Sequence, residues 1–198
     1  MLTGLEIIRQ VKLKNIHIDN FDESKVNPNS YNLHLGNKLL IYSDIIAPDT
    51  PMSTAKRISI QGVKGYIDAY EDNPTKEILI PDDGYILMPN QLYLGTTVER
   101  TFAKNCVPCI SGRSSIGRLG ISIHVTAGFG DIGFDGKWTL EIGVLVPVKI
   151  YPNMEICQIY FEEVEGDSEI KYKGKYQFQD DVQPSKLFID TITEMRLP

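Results

Sequence analysis

Hydrophobic and polar positions change rhythm once along this chain. Near its start, Leu5, Ile8 and Val11 recur at helical spacing. Thr3-Gly4-Leu5-Glu6 has the Thr-x-x-Glu form of a capping box, in which each side chain can satisfy a backbone N–H of the first turn. The pattern predicts a short amphipathic helix up to about Lys14, packed on the body of the domain. After it the rhythm is that of strands. "SYNLHLGNKLLIY" sets Tyr31, Leu33 and Leu35 against polar partners. "EILIPDDGYILMPNQLYLGTTVERTF" shows three apolar runs broken by Pro-Asp-Asp-Gly and Met-Pro-Asn-Gln, both turn chemistries. "CVPCI", "GISIHV", "KWTLEIGVLVPVKIY" and "EICQIYFEEV" continue the series. Short strands with Gly and Pro punctuation and little helix predict an all-β sandwich or distorted barrel. Residues 50–78 are polar with weak periodicity and read as a surface excursion. The tail from Gly166 is polar and aromatic and lacks a core pattern.

Composition narrows the function classes. A chain of 198 residues, 42% hydrophobic and 23% charged, suits one soluble domain with a sizeable core. No repeat, linker or second domain is visible, so residues 1–198 read as a single unit. No apolar run approaches the roughly 20 residues of a membrane span, and no export signal opens the chain. A net charge of -6 argues against a polymeric nucleic-acid partner, which wants a basic surface. Three cysteines cannot all pair with one another, and a reducing cytoplasm fits them best.

Three stretches offer chemistry. Cys106-Val-Pro-Cys109 has the spacing of zinc ligands, but side chains three apart on an extended segment point to opposite faces. No His is followed two residues later by Glu, as the zinc deaminase signature requires. Two buried cysteines and no zinc are expected. "SGRSSIGRLG" has the Gly112 and Gly117 spacing of a P-loop but carries Arg118 and Leu119 where Lys and Ser or Thr belong. With strands on both sides, what remains is a turn of exposed N–H groups, two hydroxyls and two guanidiniums, suited to phosphate oxygens. A surface turn with solvated arginines is the plain alternative. In "KWTLEIGVLV", Trp138, Leu140 and Ile142 share one strand face, while Thr139, Glu141 and Gly143 share the other. The apolar surroundings predict a Glu141 at least half buried, either ion-paired or working as an acid and base. Asp131 stands in a Gly-rich loop, where a lone Asp is commonly a turn residue.

Together, "GRSSIGRLGISIHVTAGFGDIGFDGKWTLEI" closely resembles the core of the dCTP deaminases, relatives of the trimeric dUTPases. "NPNSYNLHLGNKLLIY" resembles that family's early Ser-x-Asp-x-x-Leu-Gly strand, and "PNQLYLGTTVE" its next hairpin. "YPNMEICQIYF" and "YKGKYQFQDDVQPS" are similar to its last core strand and its C-terminal closing segment, here residues 166–198. The resemblance implies a mainly β, distorted barrel or jelly-roll-like fold of the dUTPase type, with a short N-terminal helix. It also implies a homotrimer with nucleotide sites between subunits. Glu141 would be the proton-shuttling acid and base, and Ser114, Arg118 and the Ala127 carbonyl would hold the attacking water. The triphosphate would meet Arg113, Ser114, Ser115 and Arg118, with Ile116 and Gly117 in the same turn. Asp131, Thr139, Leu140 and Glu141 would face the sugar and base. Gln158 matches a polar position of the last core strand, and Tyr172, Lys175 and Gln179 match residues that close over the phosphates. Mg²⁺ would accompany the triphosphate without a protein cage. The ligands implied are dCTP, then dUTP, and dTTP as an inhibitor.

The departures are informative. Asn32 replaces the family's usual Asp. Gly128 stands where single-function deaminases often carry His, so "TAGF" resembles the bifunctional, dUMP-forming members, with Asp131 serving the phosphate-side water. Gly130 occupies a position usually taken by Ile or Val. The expected activity is deamination of dCTP, continuing to dUMP and pyrophosphate. A monofunctional dUTP diphosphatase and a non-catalytic, nucleotide-binding trimeric jelly-roll protein are the alternatives.

Overall fold

A twelve-residue strand, β2 (Tyr31–Tyr42), organises the barrel. In the computed structural model, which describes residues 1–43, 45 and 65–194, β2 bonds to three neighbours along its length. Its first part pairs with β10 (Glu155–Glu163), its middle with β5 (Tyr93–Ala103) and its end with β3 (Thr75–Leu79). The main sheet runs β6 (Cys106–Gly112), β10, β2, β5, β8 (Asp135–Val144), β7 (Ile121–Ser122), with β1 (Ile16–Ile18) on β5 and β3 on β2. A separate ribbon joins β4 (Tyr85–Leu87) to β9 (Val148–Ile150). The fold is the mainly β distorted barrel that the alternation predicts. Tyr31, Leu33 and Leu35 are at most 1% exposed and pack with Leu39, Ile142, Ile159 and Phe161 in one core. Side chains buried this completely stabilise by about 1.5–3 kcal/mol each. The two predicted turns are present: Gly84 N–H closes on the Pro81 carbonyl with φ +94°, and Asn90 takes a left-handed φ of 64°.

Several expectations change. The first helix, α1 (Gly4–Lys12), is capped by Thr3 Oγ1 accepting from Glu6 N–H, but the Glu6 carboxylate turns to Arg9 and Gln10 instead of closing the box. Its inward residue is Ile7, while Leu5 is 82% exposed. Two bonds set that rotation, Leu2 N–H to the Phe161 carbonyl and Gly4 N–H to the Pro28 carbonyl. Gly4 lies so close to Asn27 that a Cβ would stand 2.2 Å from its carbonyl oxygen. Part of the presumed 50–78 excursion is strand β3, whose exposed outer residues hid its alternation; residues 44 and 46–64 lie outside the described residues. The anion loop is the expected turn between strands β6 and β7, and it winds into a single helical turn, α2 (Ser114–Gly117). The tail carries a helix, α3 (Leu187–Glu194), and buries Val182 against Tyr42 and Leu94. Among the described residues, no helix is long and apolar enough to cross a membrane.

Candidate active site

Strand β8 carries the central carboxylate. Leu140 and Ile142 are 1% and 0% exposed and hold the strand to the core, which turns Glu141 to the opposite face. Glu141 is partly buried there, as the alternation predicts. The segment 123–125 clamps it twice: Glu141 N–H donates to the Ile123 carbonyl at 3.0 Å, and Val125 N–H donates to Oε2 at 2.8 Å. Beside it opens a cavity of about 540 Å³. Ala127, Asp131, Thr139, Glu141, Tyr172 and Gln179, six of the residues singled out from the sequence, line it together.

The tail forms one wall of this cavity by pairing with the outer edge of β8. Lys137 N–H donates to the Gln179 carbonyl at 2.9 Å, and Gln179 Nε2 donates to the Lys137 carbonyl at 2.5 Å. Gln183 N–H reaches Thr139 Oγ1, and Lys38 Nζ meets the Asp181 carboxylate at 2.6 Å. Gln179 Oε1 is buried without a hydrogen-bond partner among the described residues. Tyr172 packs edge-on against Phe134, and Lys175 pairs with Asp190 of α3. Close approach of the tail depends on Gly136, where a Cβ would stand 2.9 Å from the Gln179 carbonyl oxygen. Gly136→Ala is therefore expected to loosen the tail, read as faster limited proteolysis between residues 166 and 186 with an unchanged barrel by circular dichroism.

The anion turn contributes nothing to the lining of that cavity. Ile116 is 5% exposed and plugs the turn into the core, leaving Ser114, Ser115, Gly117 and Arg118 exposed around it. Arg113 is already engaged: its guanidinium meets the Glu155 carboxylate at 2.8 Å and the Glu155 carbonyl at 3.1 Å. Glu155 Oε2 also accepts from Asn32 Nδ2 at 3.2 Å, while Asn32 Oδ1 accepts from Asn27 at 2.8 Å. An Asp at position 32 would set a second carboxylate against Glu155, so only the amide supplies the donor needed here. Gln158 ties β10 to the same corner, donating to the Gly112 carbonyl and accepting from Ser30 Oγ. None of residues 113–118, nor Gln158, lines the cavity that holds Glu141. Leu140 faces the core, so only its backbone is available to a ligand.

Glu155 and the Val125 amide escaped the sequence reading. Glu155 is 42 residues from Arg113, and only pairing of β10 with β6 joins them. At Gly128 a side chain would be crowded: a Cβ there would meet the His124 ring at 3.1 Å and the Ile110 carbonyl at 3.0 Å. Cys106 and Cys109 are both buried free thiols, and burial pushes the Cys106 thiol up to about 11. Burial at β10 raises the Cys157 thiol as well.

A family model described as dCTP deaminase-like matches residues 1–164. The chain belongs to the dCTP deaminase-like family. Within that family it is 49% identical over 191 residues to the "dCTP deaminase, dUMP-forming" of Clostridium beijerinckii, covering 96% of this chain and 98% of that one. A protein of the same name from Hathewaya histolytica is 46% identical over 190 residues, and one from Cytophaga hutchinsonii 43% identical over 190, each covering 96% of this chain and 98% of the relative. The crystal structure of 2'-deoxycytidine 5'-triphosphate deaminase from Agrobacterium tumefaciens shares the fold, with a TM-score of 0.56 at 20% identity. That likeness covers 82% of this chain and 48% of the solved chain, so this chain spans about half of its length.

Proposed function

We infer that this member of the dCTP deaminase-like family is an enzyme that deaminates dCTP and carries the product on to dUMP and pyrophosphate. The observation that carries the reading is the single cavity lined by both Glu141 and Asp131. In the first step water adds to C4 of cytosine and ammonia leaves. Glu141 takes a proton from that water and delivers it to the ring nitrogen. It then takes the proton of the new C4 hydroxyl and passes it to the amine, which leaves as ammonia while the C4 carbonyl forms. The hydroxyl of Ser114, the Arg118 guanidinium and the Ala127 carbonyl hold the water and the developing charge. In the second step Asp131 orients a water toward the α-phosphorus, and pyrophosphate departs. Identity of 43–49% over 96% of this chain to three proteins named dUMP-forming supports the two-step course. A monofunctional dUTP diphosphatase has no need of an acid and base at Glu141, and a non-catalytic binder needs neither carboxylate.

The turn at 113–118 comes to the cavity from a neighbouring subunit of a homotrimer. That none of its residues lines the cavity of its own chain supports this, as does the apolar surface beside it. Leu119, Leu145 and Val146 are 50%, 81% and 54% exposed in the single chain, a patch that a second copy would cover. The backbone N–H groups around Ile116 and Gly117, with Ser115 and Arg118, meet the triphosphate. Tyr172, Gln179 and the tail close over it, and Mg²⁺ arrives on the phosphates with its own waters. Three free, buried cysteines support a cytoplasmic setting. The mass in solution is expected to be that of three chains; a fully active monomer would contradict the shared site.

Incubation with dCTP and Mg²⁺, with separation of dUTP, dUMP, pyrophosphate and ammonia, tests the reading. Ammonia and dUMP should appear together, and the rate should persist when zinc is chelated with Mg²⁺ in excess. Loss of activity restored only by zinc, or no ammonia at all, would sink it.

A further inference from the structure

Gly130 and Trp138 occupy one space. A Cβ on Gly130 would stand 2.5 Å from Cη2 of the Trp138 ring, well inside any tolerable contact. The indole therefore fills the volume that a side chain at position 130 would take, directly before Asp131. The ring is fixed at several points. Its N–H donates to Thr101 Oγ1 at 2.8 Å, and Thr101 is 1% exposed. The Trp138 backbone N–H donates to Thr97 Oγ1 at 3.0 Å, within the irregular stretch of β5 where pairing with β8 shifts register. Phe134 packs on the ring with centroids 5.0 Å apart, and Phe134 in turn meets Tyr172 of the tail at 5.8 Å. On the loop's other side, Gly130 N–H donates to the Pro108 carbonyl at 2.7 Å. Gly130 is thus held between β6 and a hydrogen-bonded, ring-packed indole.

We propose that Trp138 is a positioning residue for the second chemical step. It holds the Gly130–Asp131 segment against β6, and so decides what share of the deaminated nucleotide proceeds to dUMP. A glycine before a water-orienting carboxylate would otherwise leave that carboxylate free to wander. Small displacements of such a group are costly, since about 1 Å of misplacement can lower a rate by 10²-fold. Glu141 is held separately, by Val125 and Ile123, so ammonia release is measured beside pyrophosphate release and a loss common to both steps cancels in their ratio. Through Phe134, the same ring ties the Asp131 loop to the closing tail. The proposal rests on the reading that Asp131 serves the pyrophosphate-releasing step.

The test compares Trp138→Ile, Gly130→Ala and the double variant Gly130→Ile/Trp138→Ile with wild type. The measured quantity is the ratio of pyrophosphate to ammonia released early in the reaction with dCTP. Trp138→Ile should lower that ratio by about tenfold or more, with dUTP appearing in solution. Gly130→Ala, which keeps the indole but pushes against it, should lower the ratio too. Because Trp138 is the chain's single tryptophan, its fluorescence should shift in that variant. The double variant, in which a branched chain at 130 refills the space, should recover the ratio. Amide exchange at Gly130 and Asp131 should quicken in Trp138→Ile and slow again in the double variant. An unchanged ratio in both single variants, with faster exchange or shifted fluorescence showing the loop disturbed, would overturn the proposal. Unchanged exchange in Trp138→Ile would overturn it equally. Wild-type protein that releases ammonia without pyrophosphate would defeat the underlying reading instead, and the exchange comparison then decides the positioning role alone.

Discussion

Glu141→Gln is expected to lower ammonia release from dCTP by about 10²-fold or more while nucleotide affinity changes little. The substitution is nearly isosteric, and the amide oxygen can still accept from Val125 N–H, which holds Oε2 at 2.8 Å in the native chain. The loop that carries Ala127 therefore stays in place. What is lost is the ability to receive a proton from water and return it to the ring. The affinity for dCTP, measured by calorimetry, separates this from collapse of the pocket. Ammonia release within a few-fold of wild type would remove Glu141 from the chemistry.

Asp131→Asn is expected to divide the two steps. Pyrophosphate release should fall by about 10²-fold, the usual scale for losing a group that activates water. Ammonia release should continue, so that dUTP accumulates in step with it. Asp131 is exposed within the cavity, on the loop between Gly130 and the turn in which Phe134 N–H closes on its carbonyl. Asparagine preserves that turn and removes only the charge. Product analysis over the first turnovers decides the matter. If dUMP still dominates, the carboxylate serves binding alone.

The strands that matter most could be read directly from alternation, because Tyr31, Leu33, Leu35, Leu140 and Ile142 face a single core. The same period set Glu141 on the opposite face before any coordinates. Other features depended on partners far away in the chain. Leu5 faces solvent: helical spacing gives an apolar stripe but not its rotation, which the bonds from Leu2 and Gly4 set. The pairing of Arg113 with Glu155 follows from the register of β10 on β6. The 540 Å³ cavity draws residues from β8, a loop and the tail, and the anion turn does not reach it within one chain. Family resemblance supplied both halves of the site as one list, and the fold shows which residues a single subunit can bring together. At Gly130 the sequence shows only a missing side chain, whereas the fold places the Trp138 ring in the space that side chain would take.

The Val125 hydrogen bond also gives the central carboxylate a direction. With Oε2 occupied by a backbone donor, Oε1 is the oxygen left to carry a proton. The proton removed from water and the proton returned to the base then travel through one atom, one after the other. The base must shift against a stationary oxygen, or the water must, between the two transfers. The order of the transfers follows from the chemistry, since the carboxylate must take a proton before it can return one; the amide fixes which oxygen does both.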